Sequence, residues 1–336
     1  MTATIADVAA KAGVSTATVS RVLAGLGRAR PETRARVFDA AHELGYRPSE
    51  IARSLKRRST QTLGLIITDI ENPYFPQLVR SIEDASRAAG YTVLLCNAAE
   101  DPEREASYLD LLVDRRVDGL IIAASSIGVR QGEWLTAPPI PVVLVNTEAP
   151  EAGLPTITSD NTGGGRIATE HLLALGHERF GYLMPPPRNV DATARLMGVR
   201  AALHAAGCRD DALTVVHGDA LVGGGEAAAI DLLERAPETT AILAYNDLMA
   251  IGALRALRQR GRRVPLDASV VGFDDVAVAA YVDPALTTIS QRTEEMGRWA
   301  VERLVGEDEA EAATVKLPVD LHVRDSTGPA PGSGAG

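Results

Sequence analysis

Residues 14–25 read VSTATVSRVLAG and place the small hydroxyls of Thr16, Thr18 and Ser20 around one guanidinium, Arg21. Together, these groups can hydrogen-bond a polyanion. An arginine fork matches the two acceptors on the major-groove edge of guanine and discriminates that base by about 1–3 kcal/mol. Hydroxyls and backbone amides hold phosphates, which positions a duplex without reading it. A second set of polar and aromatic residues follows apolar runs further along. Tyr74 and Phe75 come after TLGLIIT, Ser125 after GLIIAA, and Asn146 after VVLV. Asn246 and Asp247 come after AILAY, Asp274 and Asp275 after VVGF, and Gln291 after LTTIS. Such side chains, if they converge, can grip a small polar ligand.

Other chemistries lack their residues. TGGGR at 162–166 and VGGGE at 222–226 fit neither a phosphate-binding P-loop nor a dinucleotide fingerprint, and read as helix starts with small packing residues. The six histidines have no metal-ligand spacing. No GxSxG elbow is present. The expectation is therefore a binding protein with no cofactor and no metal, not an enzyme. The alternative of an α/β enzyme with a basic extension would require turnover of the bound molecule.

The elements that must position these groups fall into two regions. In the first sixty residues, TIADVAAKA has Thr4 as its N-cap and Ile5, Val8, Ala9 and Ala12 at helical spacing. Gly13 makes a turn. Ser15 caps a second helix whose Val19, Val22 and Leu23 form an apolar stripe, which leaves Thr16, Ala17, Ser20 and Arg21 facing outward. RPETRARVFDAAHELG, with Pro31 in its first turn and Gly45 at its end, is a third helix. Two helices joined by a tight turn, with a third behind, are the helix-turn-helix arrangement. A plain helical bundle with a wet Thr/Ser face is the alternative. From Thr62 on, near-continuous apolar strands alternate with amphipathic helices, which predicts parallel sheets covered on both faces. More than 250 residues of alternation predict two α/β lobes. The tail STGPAPGSGAG, residues 326–336, reads as disordered.

Charge divides in the same way. The 336-residue chain carries −10, yet residues 1–58 hold eleven Lys/Arg against five Asp/Glu, a surplus of six. A basic head on an acidic body suits a polyanionic partner for the head. Cys96 and Cys208 are isolated, and no apolar run reaches the roughly 20 residues of a membrane span. The opening MTATIADVAAKAG has no apolar signal segment. The expected compartment is the cytoplasm.

TIADVAAKAGVSTATVSRVLAG and RPETRARVFDAAHELGYRPSEIARSLKRRSTQTLGLIITDIENPYF resemble the LacI/GalR family of bacterial transcription regulators, and the resemblance extends over nearly the whole chain. It implies a domain plan of 1–47 helix-turn-helix, 48–60 hinge helix and linker, and 61–325 a two-lobed body like the periplasmic sugar-binding fold. It implies base contacts from Thr16, Ala17 and Arg21, with Arg28 as helper, and DNA-backbone contacts from Thr18, Ser20 and Tyr46. In the hinge helix, Ile51, Ala52 and Leu55 would meet the twin helix or the minor groove. Leu55 would be the apolar wedge, unless it packs against the following domain. Arg195 would reach into the cleft, with Asn189 and Asp191 lining it.

Arg, Asp, Asn and Gln groups beside an aromatic wall suit a polyol whose apolar face stacks on Phe75. Tyr74 could instead be core. Asp247 and Asp275 read as helix or turn caps, as do Asp160 and Asn161. Ala220 and Leu221 stand where purine-responsive relatives carry an aromatic, which argues for a sugar or nucleoside-sized polyol over a nucleobase, while Arg188 and Arg195, near each other in sequence, leave a phosphorylated sugar open. The expected function is a homodimeric, sequence-specific repressor on pseudopalindromic operator DNA, controlled by a sugar-like effector. A nucleoside- or purine-responsive regulator, or a sugar-binding module without DNA function, is the alternative.

Overall fold

Alternating apolar strands and amphipathic helices build two parallel sheets here, because strands buried on both faces need helices over each. The computed structural model describes residues 3–23, 29–46, 59–123, 129–147, 149, 152–185, 190–306 and 314–332. The expectations for Arg28, Ile51, Ala52, Leu55, Ser125, Arg188 and Asn189, and for residues 48–58 of the hinge, lie outside them. Packing divides the chain into a head, Met1–Gln61, and a body, Thr62–Gly336.

The head contains α1 (Ile5–Ala12), α2 (Thr16–Leu23) and α3 (Pro31–Glu43). Thr4 and Asp7 cap α1 reciprocally. Gly13 adopts φ +64°, the left-handed conformation that ends α1 and lets the chain turn into α2. Ser15 Oγ accepts the Thr18 amide at 3.2 Å and caps α2. Val8, Val19 and Val37, all fully buried, bring the three helices onto one core.

In the body, the first lobe carries a six-stranded sheet in the order β11-β5-β4-β3-β1-β2. These strands are β1 (Thr62–Ile67), β2 (Thr92–Asn97), β3 (Gly119–Ala123), β4 (Val142–Val145), β5 (Thr156–Ser159) and β11 (Thr314–Leu317). All its pairings are parallel. Helices α4 (Tyr74–Ala88), α5 (Pro102–Asp114) and α6 (Val129–Thr136) follow its strands. The second lobe has the order β12-β10-β9-β8-β6-β7. It comprises β6 (Phe180–Met184), β7 (Leu213–His217), β8 (Ala241–Ala244), β9 (Ser269–Asp274), β10 (Thr287–Ser290) and β12 (Asp320–His322). Only β12 runs antiparallel among these described pairs. Its helices are α7 (Asn161–Ala174), α8 (Val190–Ala205), α9 (Val222–Arg235) and α10 (Asp247–Gln259), while α11 (Thr293–Val305) returns to pack on α4 and β4 of the first lobe. The chain thus passes between the sheets three times, after β5, after β10 and after β11.

Two glycines fix the contact between α7 and α8. A Cβ at Gly165 would lie 2.0 Å from the Arg195 carbonyl oxygen, and one at Gly198 would lie 2.0 Å from the Thr162 oxygen. The backbones therefore touch, and this contact sets the position of α8 and of the Arg195 side chain on it.

The expected disorder of the tail is corrected over residues 326–332. Ser326 is fully buried; its hydroxyl accepts the Thr287 amide at 2.8 Å and donates to the Val270 carbonyl at 2.6 Å. The Gly328 carbonyl accepts from Ser269 Oγ at 3.2 Å and lies 3.1 Å from His177 Nε2. Composition suggested a solvated segment, but these backbone groups find buried partners at the base of the second lobe. No helix among the described residues is long and apolar enough to cross a membrane.

Candidate functional site

In the head, the α2 stripe of Val19 and Val22 turns inward, and Thr16, Ala17 and Arg21 are exposed while Thr18 and Ser20 are half-buried. Arg21 Nε donates back to the Ala17 carbonyl at 3.3 Å, and the Thr18 hydroxyl lies 2.9 Å from Ser15 Oγ. These are weak, local bonds that a better acceptor can replace. Tyr46 packs partly against the head core. Phe38 on α3 is 46% exposed, with the Arg34 guanidinium 6.0 Å from its ring centre.

In the body, the residues that follow strands converge on one buried chain of hydrogen bonds. Asn146, after β4, donates from Nδ2 to Tyr74 Oη and, at 3.1 Å, to Gln291 Oε1. Its Oδ1 accepts the Ser159 amide at 3.0 Å. Ser159 Oγ donates to Gln291 Oε1 at 2.6 Å. Gln291 Nε2 then donates across to Asp274 Oδ1 at 2.7 Å. Arg195 Nη1 stands 3.8 Å from Asp274 Oδ1 and donates to the Tyr245 carbonyl at 2.5 Å, while its Nε donates to Asn161 Oδ1 at 2.8 Å. Asn161 Nδ2 donates to Asp191 Oδ1 at 2.9 Å. The Arg195 guanidinium lies face-on to Phe273, 3.5 Å from its ring centre, and 4.7 Å from that of Tyr245.

Tyr74, Asn146 and Ser159 belong to the first lobe, Asp274 and Arg195 to the second, and Gln291 to a crossover between them. Gln291 therefore ties the two lobes together, and Gln77 of α4 also reaches across, from Nε2 to the Asp275 carbonyl at 3.5 Å.

Asn146 and Asp274 have φ of +47° and +112°. The second is a backbone outlier of a kind that costs about 1–3 kcal/mol and clusters at ligand sites. Burial lifts the Asp274 carboxyl to about 6; Arg195 and Gln291 oppose the rise and Asp191 adds to it. Burial pulls the Arg195 guanidinium down, but Asp274, Tyr245 and Asp191 outweigh it. Burial also raises the Tyr74 phenol. The space behind Arg195, lined by Gly165, Tyr182 and Phe273 among others, is about 10 Å³, room for about one water. Along the chain the polar groups bond one another.

Of the expected ligand contacts, Tyr74, Asn146, Asp191, Arg195, Asp274 and Gln291 stand in this chain. Asn246 does not: its Oδ1 accepts the Met249 amide as N-cap of α10 and its Nδ2 donates to the Ala220 carbonyl, each at 2.9 Å. The expected cap Asp247 is instead fully buried, accepting from Thr288 Oγ1 at 2.5 Å and the Val276 amide at 2.8 Å. Burial, then Asp274, raises its carboxyl well above the usual range. Asp275 is held by Arg324 at 2.5 Å and His322 at 2.8 Å. Phe75 is buried edge-on to Tyr74 in the apolar core. The aromatic faces beside the chain are those of Phe273 and Tyr245, already occupied by Arg195.

Asp160 does cap α7. Asn161, read as a cap, bridges Arg195 and Asp191 instead. Ser159 had no reading, although its position at the end of a strand, like that of Asn146, was the available signal.

Residues 4–49 match the family described as bacterial regulatory proteins, lacI family, and residues 60–325 match the periplasmic binding proteins and sugar binding domain of LacI family. The ribose operon repressor of Halalkalibacterium halodurans is 36% identical over 327 residues, 96% of this chain and 97% of that protein. The lac repressor dimer bound to operator and the anti-inducer ONPF superposes with TM-score 0.88 at 29% identity, covering 98% of this chain and 100% of that one. The transcriptional regulator CelR in complex with cellobiose is 35% identical, with TM-score 0.71, covering 96% of this chain and 99% of that one.

Proposed function

Because the chain belongs to the LacI family of bacterial regulatory proteins, we propose that it is a DNA-binding transcriptional repressor whose hold on its operator is set by a sugar or related polyol bound between the lobes. The observation that carries this reading is the buried chain from Tyr74 through Asn146, Gln291 and Asp274, closed on Arg195 by an ion pair, which joins the lobes through side chains. A polyol entering the cleft exchanges these bonds for its own hydroxyls and changes how far the lobes close.

The head reads DNA with Thr16, Ala17 and Arg21 on base edges, and Thr18, Ser20 and Tyr46 on the backbone. The roles expected for Arg28 and for Ile51, Ala52 and Leu55 of the hinge complete that reading. Two copies on a pseudopalindrome match head to half-site. Leu94 and Leu95 on the edge strand β2, and Val278 and Tyr281, the last 86% exposed, offer apolar surface for a second copy. Coupling between effector and operator is reciprocal: each changes the other's affinity by the same factor. The working compartment is then the cytoplasm, and the bound polyol is not turned over.

The test is binding of the full chain to duplexes selected from a random pool, followed by a screen of sugars and nucleosides for release or tightening. Steep salt dependence, with affinity falling by orders of magnitude between about 50 and 200 mM, is expected. Failure to select any sequence overturns the reading.

A further inference from the structure

The turn that carries Asp274 is gripped from behind. Asp274, the last residue of β9, and Asp275 after it have φ of +112° and +51°. Two successive residues with side chains persist in that half of backbone space only where their surroundings over-determine them. The Asp274 carboxylate turns toward Gln291 and Arg195. That of Asp275 turns to the end of β12 and the segment after it. Its Oδ1 accepts from Arg324 Nη2 at 2.5 Å, and its Oδ2 lies 2.8 Å from His322 Nδ1.

Arg324 is itself anchored. Its Nη1 donates to the Leu286 carbonyl at 2.8 Å, and its amide donates to Thr287 Oγ1 at 2.9 Å. The Arg324 and Asp275 side chains are 22% and 17% exposed, so salt and water screen their charge-assisted bond little. The main chain of Asp275 is held far more loosely. Its amide donates to Thr288 Oγ1 at 3.4 Å, and its carbonyl accepts from Gln77 Nε2 at 3.5 Å, both at the outer limit of a hydrogen bond. Among the described partners of Asp275, the short contacts are those of its carboxylate.

On the reading of the cleft as the effector site, we propose that Arg324 is a positioning residue for that site: through Asp275 it fixes the direction in which Asp274 enters the cleft, and so sets how tightly an effector is held. Without the clamp, the pair relaxes toward ordinary backbone angles, and the Asp274 carboxylate swings away from Gln291 and Arg195 toward water.

The orientation of Asp274 can be read without any guest. In place, burial lifts its carboxyl to about 6. Among the described residues, Arg195 and Asp191 of α8, Asp247 of α10 and Tyr74 of α4 are the ionisable groups that act on it or feel it, beside its neighbour Asp275. The experiment is a carboxyl-carbon NMR titration of the full chain labelled at aspartate, with Asp274→Asn to assign the signal. Arg324→Gln should bring the midpoint below about 5 as the carboxyl meets water. Loss of the Arg324 charge alone would push it up, so the direction separates positioning from simple electrostatics. Arg324→Lys, which keeps a cation beside Asp275, should retain most of the wild-type value. The double variant Asp275→Asn/Arg324→Leu strands no charge, puts a residue that tolerates φ +51° in the turn, and should fall like Arg324→Gln; it decides the matter should the single variant fail to fold.

Isothermal titration with ribose, glucose, cellobiose and cytidine then reads affinity. Whichever of them the wild type binds should be held about 10-fold or more weakly by Arg324→Gln and be largely restored by Arg324→Lys. A wild-type midpoint near 3.8, a midpoint that stays near 6 or rises in Arg324→Gln, or a probe held equally by both proteins overturns the proposal. Binding of none of the four, by protein that still binds DNA, overturns the reading of the cleft instead, and the NMR titration still decides what orients Asp274.

Discussion

Arg21→Ala separates base reading from charge attraction. The side chain is exposed, and its one bond among the described residues, from Nε to the Ala17 carbonyl, is 3.3 Å long. Removing it takes nothing from the head core, and only a modest dipole benefit from the last turn of α2. On DNA, a bidentate pair to guanine contributes about 1–3 kcal/mol. Releasing the bond to Ala17 costs about 0.5 kcal/mol of that. The variant should therefore lose about 0.5–2.5 kcal/mol, roughly 2- to 70-fold, on a selected duplex. On random duplex it should lose almost nothing, and the slope of log affinity against log salt should stay nearly the same. Fluorescence anisotropy on both duplexes across about 50–200 mM salt measures all three quantities. An equal loss on both duplexes, with a slope shallower by about 0.9, would assign Arg21 to a phosphate and refute the base-reading face of α2.

Further outcomes concern the body. Asp274 has a folded pKa of about 6 against an ordinary 3.8, so the stability it contributes is full below pH 3.8 and is lost as pH rises through 6. The loss amounts to about 3 kcal/mol. Urea unfolding of Asp274→Asn at pH 4 and pH 8 should lack that difference, and an undiminished pH slope would locate the titration elsewhere. Gln291→Leu removes bonds to Asn146, Ser159 and Asp274 at nearly constant volume and should cost about 2–4 kcal/mol; a loss below 1 kcal/mol in urea would mean that water replaces all three. Gly198→Ala puts a methyl 2.0 Å from the Thr162 oxygen. It should destabilise the body by about 3 kcal/mol in a thermal melt, and, by pushing α8 away, should blunt any effector response.

The architecture was legible because its signals are local and repeated. The stripe of Val19 and Val22 fixed which face of α2 is outward, and runs such as TLGLII and GLIIA can only be strands buried on both sides. Short strands escaped the reading: TITS at β5 is mostly polar though buried throughout, and TVKL at β11 alternates over only four residues, too few to mark it. The site was half legible. Position after a strand picked out Asn146, Asp274 and Gln291, but could not say which of two adjacent side chains turns inward. Asn246 and Asp247 both turn inward, and position alone could not tell that Asn246 caps α10 while Asp247 bonds Thr288 and Val276. Asn161 was read as a cap because its value lies in two partners, Arg195 and Asp191, more than 25 positions away. The tail was misread because Gly, Pro and Ser describe a segment without regular structure, and irregular backbone can still be docked.

The triple passage of the chain between the sheets has a mechanical consequence. Three tethers leaving one lobe side by side let it nod toward its neighbour, yet oppose a swivel, much as three strips of leather along one edge make a lid that lifts but does not spin. A guest molecule in the cleft then has a single coordinate to act upon, the angle of that lid, and whatever it communicates outward must be encoded in that angle alone.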